Sequence, residues 1–264
     1  MEKKRVITLA TDFGNESGYA GVMKGVILTI NHNCQVIDIT HQISPQAIEE
    51  AAFLLYNTYS YFPEHSIHVV VVDPGVGSER IPIVVETDKY WFVGPDNGVF
   101  SLLFSGEGFK KVWEITNKRY FLPEVSSTFH GRDIFAPIAA HLSLGVPAEE
   151  LGKEVKKFIR LKDIEPKVLK GIIKAKVIHV DRFGNLVSNI SQNLFNKVVA
   201  DKSFSITVGG RKVQKLSLSY TEAVNDEILA LFGSSGWLEI SLKDGNCQKE
   251  LQVKKGAAVE INYS

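Results

Sequence analysis

Two aspartates, one arginine and one histidine stand where side-chain chemistry would be open to a ligand. Asp12 follows the apolar run at 6–10, and Asp73 follows the run at 67–72. Both runs read as parallel strands, and ligands bind beyond the carboxyl ends of such strands. A carboxylate there can accept two hydrogen bonds from a vicinal diol, as on a ribose. A lone aspartate in such a place more often forms a turn or caps a helix. Two at equivalent strand ends favour the ligand reading. Asp73 opens the loop Asp73-Pro74-Gly75-Val76-Gly77-Ser78-Glu79-Arg80, which either brings Arg80 back toward Asp73 or leaves it solvated. His130, in Thr128-Phe129-His130-Gly131-Arg132-Asp133, precedes a helix. A helix N-terminus disfavours imidazolium and keeps the ring neutral.

Other chemistries leave weaker traces. The loop at 73–80 has no Gly-Lys-Ser/Thr and does not match GxGxxG, so it is a poor phosphate cradle. No GxSxG elbow is present for a serine hydrolase. The seven histidines form no HExxH, and no Cys/His cluster has ligand spacing. Asp12, Asp73, Asp96 and His130 could together build a carboxylate metal site. Gly94-Pro95-Asp96-Asn97-Gly98 reads equally well as a tight structural turn. In the C-terminal part, His179-Val180-Asp181-Arg182-Phe183-Gly184-Asn185 runs from a strand into a polar turn. Asp181, Asn185 and an aromatic could hold an amino group and a purine, or simply build a hairpin. Ser234, in Phe232-Gly233-Ser234-Ser235-Gly236, belongs to a flexible turn or to a site that bonds a ligand through hydroxyls and backbone amides.

The elements that must position these residues fall into two textures. Runs at 6–10, 36–39 and 67–72 alternate with helical spacing at 19–30 and 45–61, the pattern of a parallel, doubly wound α/β sheet. Two more strand-like runs follow, IPIVVET and YWFVG, then a helix over about 132–144 with Pro137 as a local flaw. The charged stretch at 153–171 reads as a linker. Beyond it, IIKAKVIHV, FSITVGG, GWLEISL and VKKGAAVEINY alternate in the manner of a small β-barrel or sandwich. This predicts an α/β domain over 1–165 and a smaller all-β, barrel-like domain over 171–264.

Composition narrows the class. The chain has 264 residues, with thirty basic residues against thirty acidic ones, so bulk charge gives no sign of a nucleic-acid or membrane-surface partner. Two distant cysteines, Cys34 and Cys247, argue against a disulfide framework and for a cytoplasmic setting. No apolar run approaches the roughly 20 residues that span a bilayer.

Six segments occur together in an informative order: TDFG at 11–14, VVDPGVGSER at 71–80, FVGPDNG at 92–98, STFHGRD at 127–133, HVDRFGNLVSNI at 179–190 and GSSGWLEI at 233–240. The set resembles the S-adenosylmethionine hydroxide adenosyltransferase family, which is related to the fluorinases and chlorinases that attack the same substrate with halide. The resemblance implies a metal-free, cofactor-free hydrolase that releases adenosine and L-methionine from S-adenosyl-L-methionine. It implies Asp73, Arg80 and His130 as the catalytic set, and Asp12 on the ribose hydroxyls with Phe129 as a wall beside them. Asp181 and Ser234 would face the methionine, and Asn185 the adenine. It further implies a homotrimer, with substrate held between the first domain of one subunit and the second domain of its neighbour. Relatives often carry an acidic residue near position 17, where this chain has Ser17. Halogenating relatives carry uncharged residues in place of Asp73 and Arg80. The competing readings are halide-dependent adenosyl transfer and a non-catalytic adenosine or S-adenosylmethionine sensor.

Overall fold

The structure, a computed structural model, describes residues 5–105 and 108–264. The chain divides into two compact units, Met1–Leu161 and Lys162–Ser264.

In the first unit, β1 (Val6–Thr11), α1 (Tyr19–Ile30), β2 (Gln35–Thr40), α2 (Ile48–Thr58) and β3 (Ile67–Val71) follow one another as the hydrophobic pattern predicts. Then come β4 (Pro82–Thr87), β5 (Trp91–Pro95), β6 (Phe109–Ile115), α3 (Ala136–Ser143), α4 (Ala148–Leu151) and β7 (Gly152–Val155). They form one sheet in the order β2-β1-β3-β5-β4-β6-β7. The sheet is mixed. β2, β1, β3 and β5 run parallel, whereas β4, β6 and β7 are added antiparallel. The runs IPIVVET and YWFVG therefore form a hairpin rather than extending the doubly wound pattern.

Every residue of β1 and β3 is buried, because helices cover both faces, as parallel sheets require. Side chains alternate across the pleat. Ile7, Leu9, Val69 and Val71 pack on one face with Met23 and Ile27 of α1 and Ile138 of α3. Ala10, Val70 and Val72 pack on the other with Ala51 and Leu55 of α2 and with Phe92 and Phe100. Register then sets the site: Thr11 of β1 lies level with Val71 of β3. Asp12 and Asp73 leave neighbouring strands at the same sheet edge.

The helix predicted over 132–144 is two structures. Gly131–Phe135 is a π-turn, and α3 begins only at Ala136. Pro137 is no flaw, since it sits in the first turn of α3, where its missing N–H costs no helical bond. The charged stretch read as a linker is also structured. Its start is β7, paired with β6. Phe158 lies 4.2 Å from Phe104, and Arg160 stacks over both rings. Lys167–Leu169, β8, pairs with the next strand.

The second unit is antiparallel throughout: β9 (Ile172–Val180), β10 (Leu186–Ser191), β11 (Phe204–Val208), β12 (Arg211–Val213), β13 (Ile228–Phe232), β14 (Trp237–Leu242) and β15 (Ala258–Tyr263). Their order is β12-β11-β15-β9-β10-β14-β13, with β8 alongside β9. The edge strands β12 and β13 meet, so the sheet nearly closes into a barrel. Short helices α5 (Gln192–Val198) and α6 (Cys247–Leu251) supplement a single core that includes Ile173, Leu186, Ile206, Leu238 and Ile261. Among the described residues no helix is long and apolar enough to cross a membrane.

Candidate active site

Asp12, Asp73, Phe129 and His130 line one cleft of about 270 Å³ together with Phe13, Gln46, Val71, Pro74, Val76, Thr128 and Gly131. The Asp12 carboxylate is held from below, its Oδ2 accepting the Gln46 backbone N–H at 2.8 Å. The loop after β3 folds back on itself. Val76 N–H bonds Asp73 O, and Ser78 Oγ donates to Gly75 O at 2.7 Å. Gly77 adopts φ +78°, and a Cβ there would lie 2.3 Å from Ser127 O. Only glycine lets this loop pass so close to the segment that carries His130.

That path brings Arg80 to both partners. Its Nε donates to Asp73 Oδ1 at 2.9 Å, and its Nη2 donates to Asp73 Oδ2 and to His130 Nδ1, the latter at 2.8 Å. The Arg80 and Asp73 side chains are 7% and 5% exposed, so this is an ion pair largely out of water. The Arg80 guanidinium also stacks over the Phe135 ring at 5.3 Å. A guanidinium has no acceptor. His130 must therefore offer a lone pair at Nδ1 and carry its proton on Nε2. Burial first, and the Arg80 charge second, lower the His130 pKa, against the pull of Asp73 and Asp133. Arg80 Nη1 is buried and has no hydrogen-bond partner among the described residues.

His130 owes its place to Asp133. This carboxylate is fully buried in the π-turn, accepts the Ser126 N–H at 2.8 Å and is gripped by Arg132. Ser126 Oγ in turn accepts the Phe129 N–H. Phe129 makes edge contacts with Phe13 and Tyr19 at 5.7 and 5.0 Å. Sequence reasoning quoted Asp133 only as part of a motif. Its position one helical turn after His130 was the available signal. Gln46 escaped because its contribution is a backbone N–H. Ser17 is exposed and donates to Phe13 O. Asp96 does not join the cleft: it is buried and accepts the Ile159 N–H, while Asn97 donates to Val72 O. Among the described residues, no group of three or more His, Cys, Asp or Glu side chains is placed to hold a metal ion.

In the second unit Asp181 and Asn185 are brought together as partners of one another. Asp181 Oδ1 accepts the N–H groups of Phe183 and Asn185, and its Oδ2 accepts Asn185 Nδ2 at 2.8 Å. Ser234 lies exposed in the turn between β13 and β14. A residue missed from sequence stands beside them. Glu239 accepts a 2.7 Å bond from Tyr220, and burial together with the Asp181 charge raises its pKa. Its carboxylate occupies the space that any side chain at Gly233 would need.

A cleft at the carboxyl edge of a parallel sheet, with a part-buried Asp–Arg–His cluster, on a chain that also carries a β-barrel unit, defines a small-molecule-binding α/β class with an appended barrel. Within it, residues 7–152 match the model of the SAM hydroxide adenosyltransferase N-terminal domain and residues 175–260 that of its C-terminal domain. The chain belongs to the SAM hydroxide adenosyltransferase family. A protein of Methanocaldococcus jannaschii named (R)-S-adenosyl-L-methionine hydrolase is 40% identical, over 98% of this chain and 96% of its own length. A fluorinase of Nocardia brasiliensis is more distant, at 22% identity over 98% of this chain and 97% of its own. The crystal structure of a conserved protein from Thermotoga maritima, 37% identical, superposes with a TM-score of 0.88 over 97% of this chain and 99% of that one.

Proposed function

We propose that the protein hydrolyses S-adenosyl-L-methionine to adenosine and L-methionine, by in-line attack of an activated water at ribose C5′. The observation that carries this is the Arg80 guanidinium shared between Asp73 and His130, two residues that line the same cleft as Asp12. Asp12 takes the ribose hydroxyls, with Phe129 beside them. The sulfonium already provides a neutral thioether leaving group, so the protein need only align and activate the nucleophile. Alignment alone is worth up to roughly 7–11 kcal/mol in ideal cases. Arg80, bonded to the cleft residues Asp73 and His130, keeps a fixed positive charge behind them that favours hydroxide character in the attacking water. Neutral His130, with Nδ1 already engaged, offers Nε2–H and no base. The water's proton therefore passes to Asp73, whose oxygens retain lone pairs beyond the two given to Arg80. As the C5′–O bond forms, the C5′–S pair returns to sulfur and methionine leaves. No metal or cofactor takes part.

The 40% identity to the Methanocaldococcus jannaschii hydrolase, against 22% for a fluorinase, favours water over halide. So does the Asp73 carboxylate, which would repel a halide from the same wall. We also infer a cytoplasmic homotrimer in which Asp181, Asn185 and Ser234 of a neighbour complete each site, with Asp181 and Ser234 on the methionine and Asn185 on the adenine. Family membership supports this assembly, as do Leu218, Phe183 and Val224 of the second unit, which are 93%, 77% and 70% exposed. Incubation with S-adenosyl-L-methionine, followed by liquid chromatography, is expected to show adenosine and methionine in equal amounts. A chlorinated nucleoside as main product in excess chloride would overturn hydrolysis, and binding without product over hours would leave a sensor.

A further inference from the structure

The carboxylate given the ribose is not held by its own strand alone. Four contacts tie the Thr11–Gly14 turn to the segment that follows β2. Gly14 N–H donates to His41 O at 2.7 Å and Ile43 N–H to Thr11 O. Gln46 N–H donates to Asp12 Oδ2. The fourth is between side chains: Thr11 Oγ1 lies 2.9 Å from His41 Nδ1, with Thr11 fully buried and His41 6% exposed.

The direction of that bond follows from what surrounds it. His41 Nε2 sits 3.0 Å from Asp38 Oδ1. A carboxylate that near repels a nitrogen lone pair and attracts an N–H. The proton therefore resides on Nε2, and Nδ1 accepts from the Thr11 hydroxyl. Thr11 Oγ1 in turn accepts the Phe13 N–H at 3.2 Å. Asp38 is anchored from its other oxygen by Lys24 at 2.5 Å. The result is a connected chain: the Phe13 N–H donates to Thr11, the Thr11 hydroxyl to His41, and His41 and Lys24 both meet Asp38. Each link fixes the rotamer or tautomer of the next, as outer groups do around other functional side chains.

We propose that His41 is a positioning residue for Asp12. By locking the Thr11 hydroxyl it sets the Asp12–Phe13 backbone, so that the carboxylate meets both ribose hydroxyls. His41 does not touch substrate in this scheme. The proposal rests on the reading of Asp12 as the ribose ligand.

The test is calorimetric binding of adenosine and 2′-deoxyadenosine to wild type, Asp12→Ala, His41→Leu, His41→Asn and the Asp12→Ala/His41→Leu double variant. Wild type is expected to prefer adenosine by at least about tenfold, and Asp12→Ala to lose that preference. His41→Leu should lose most of it too, while His41→Asn, which keeps an acceptor near the Nδ1 position, should retain it. In the double variant the second substitution should add nothing further. Turnover of His41→Leu should show a raised KM with kcat little changed. Should His41→Leu fail to fold, Thr11→Val, close to threonine in shape, carries the same expectations. The proposal is overturned if His41→Leu weakens both nucleosides alike and keeps the wild-type ratio, or if the two substitutions add independently. Wild type binding neither nucleoside sinks the adenosyl reading itself. A preference lost in Asp12→Ala but kept in His41→Leu sinks only the role of His41.

Discussion

Asp73 and Asp181 start from the same signal, an aspartate just past an apolar strand and before a glycine-bearing turn, one in each unit of the chain. Asp73 gives its oxygens to a side chain seven residues on, the Arg80 guanidinium, and that guanidinium has reach left for His130. Asp181 gives its oxygens to its own turn, through the N–H groups of Phe183 and Asn185 and the Asn185 amide. The first arrangement confines a charge pair largely out of water beside the cleft. The second makes a rigid hairpin tip whose charge remains uncompensated by any cation in these contacts. Position after a strand therefore does not identify a catalytic carboxylate. The bonds each carboxylate makes are what separate the two.

The sharpest way to break this contrast is at Arg80. Arg80→Ala should lower kcat by about 10²–10³-fold, the scale of removing one preorganised charged donor. Arg80→Lys should recover little, since an ammonium cannot fork between Asp73 and His130. Undiminished turnover in Arg80→Ala would show that the confined pair is structural and place it on a par with Asp181.

A smaller effect is expected from Asp181→Asn, which keeps an oxygen for the two turn N–H groups while removing the charge. If that charge meets the methionine amino group, KM rises about tenfold with kcat nearly unchanged, a loss on the scale of one charged hydrogen bond. Unchanged KM, measured by the same chromatography, would reduce Asp181 to a turn former.

The mildest perturbation is acid. His130 is held below the ordinary imidazole value of 6.5. It is therefore neutral above that pH, and activity should be flat there as far as this group governs it. As pH falls below 6.5, protonation puts a hydrogen on Nδ1, which can no longer accept from Arg80, and kcat should decline with a midpoint below 6.5. The unfolded chain takes up this proton more readily than the native one, so His130 also costs native stability over the same descending window. Buried His68, held near pKa 3 by burial and bonded to Thr8, adds to that acid loss of stability without touching the cleft. A kcat profile with no decline on the acid side of 6.5 while the protein stays folded would remove His130 from the Arg80 relay.

Much of the α/β layer was legible because β-branched runs buried on both faces have few alternatives. The helix Tyr19–Ile30 and the strand starting at Ile67 follow from spacing alone. Less legible was the 153–171 stretch. Its charge suggests a linker, yet the one aromatic at Phe158 is enough to dock it on Phe104. The π-turn was invisible because nothing local distinguishes it from the first turn of α3. Its cause is the buried Asp133 held by Ser126 and Arg132, a tertiary bond set. His41 escaped for a similar reason, its partner Thr11 lying thirty residues away on the neighbouring strand.

By itself, then, the sequence determined the alternation of strands and helices, the two textures of the chain, and the two carboxylates at equivalent strand ends. These are local matters, decided by the periodicity of apolar residues and by turn chemistry. Only the tertiary structure decided that Arg80 returns to Asp73 and reaches His130, which imidazole nitrogen bears the proton, and that Asp181 accepts three bonds from its own hairpin. Those outcomes depend on close approaches between distant segments, such as Gly77 against Ser127. Such approaches are fixed by sheet register and packing of the whole unit, and no window of neighbouring residues contains them.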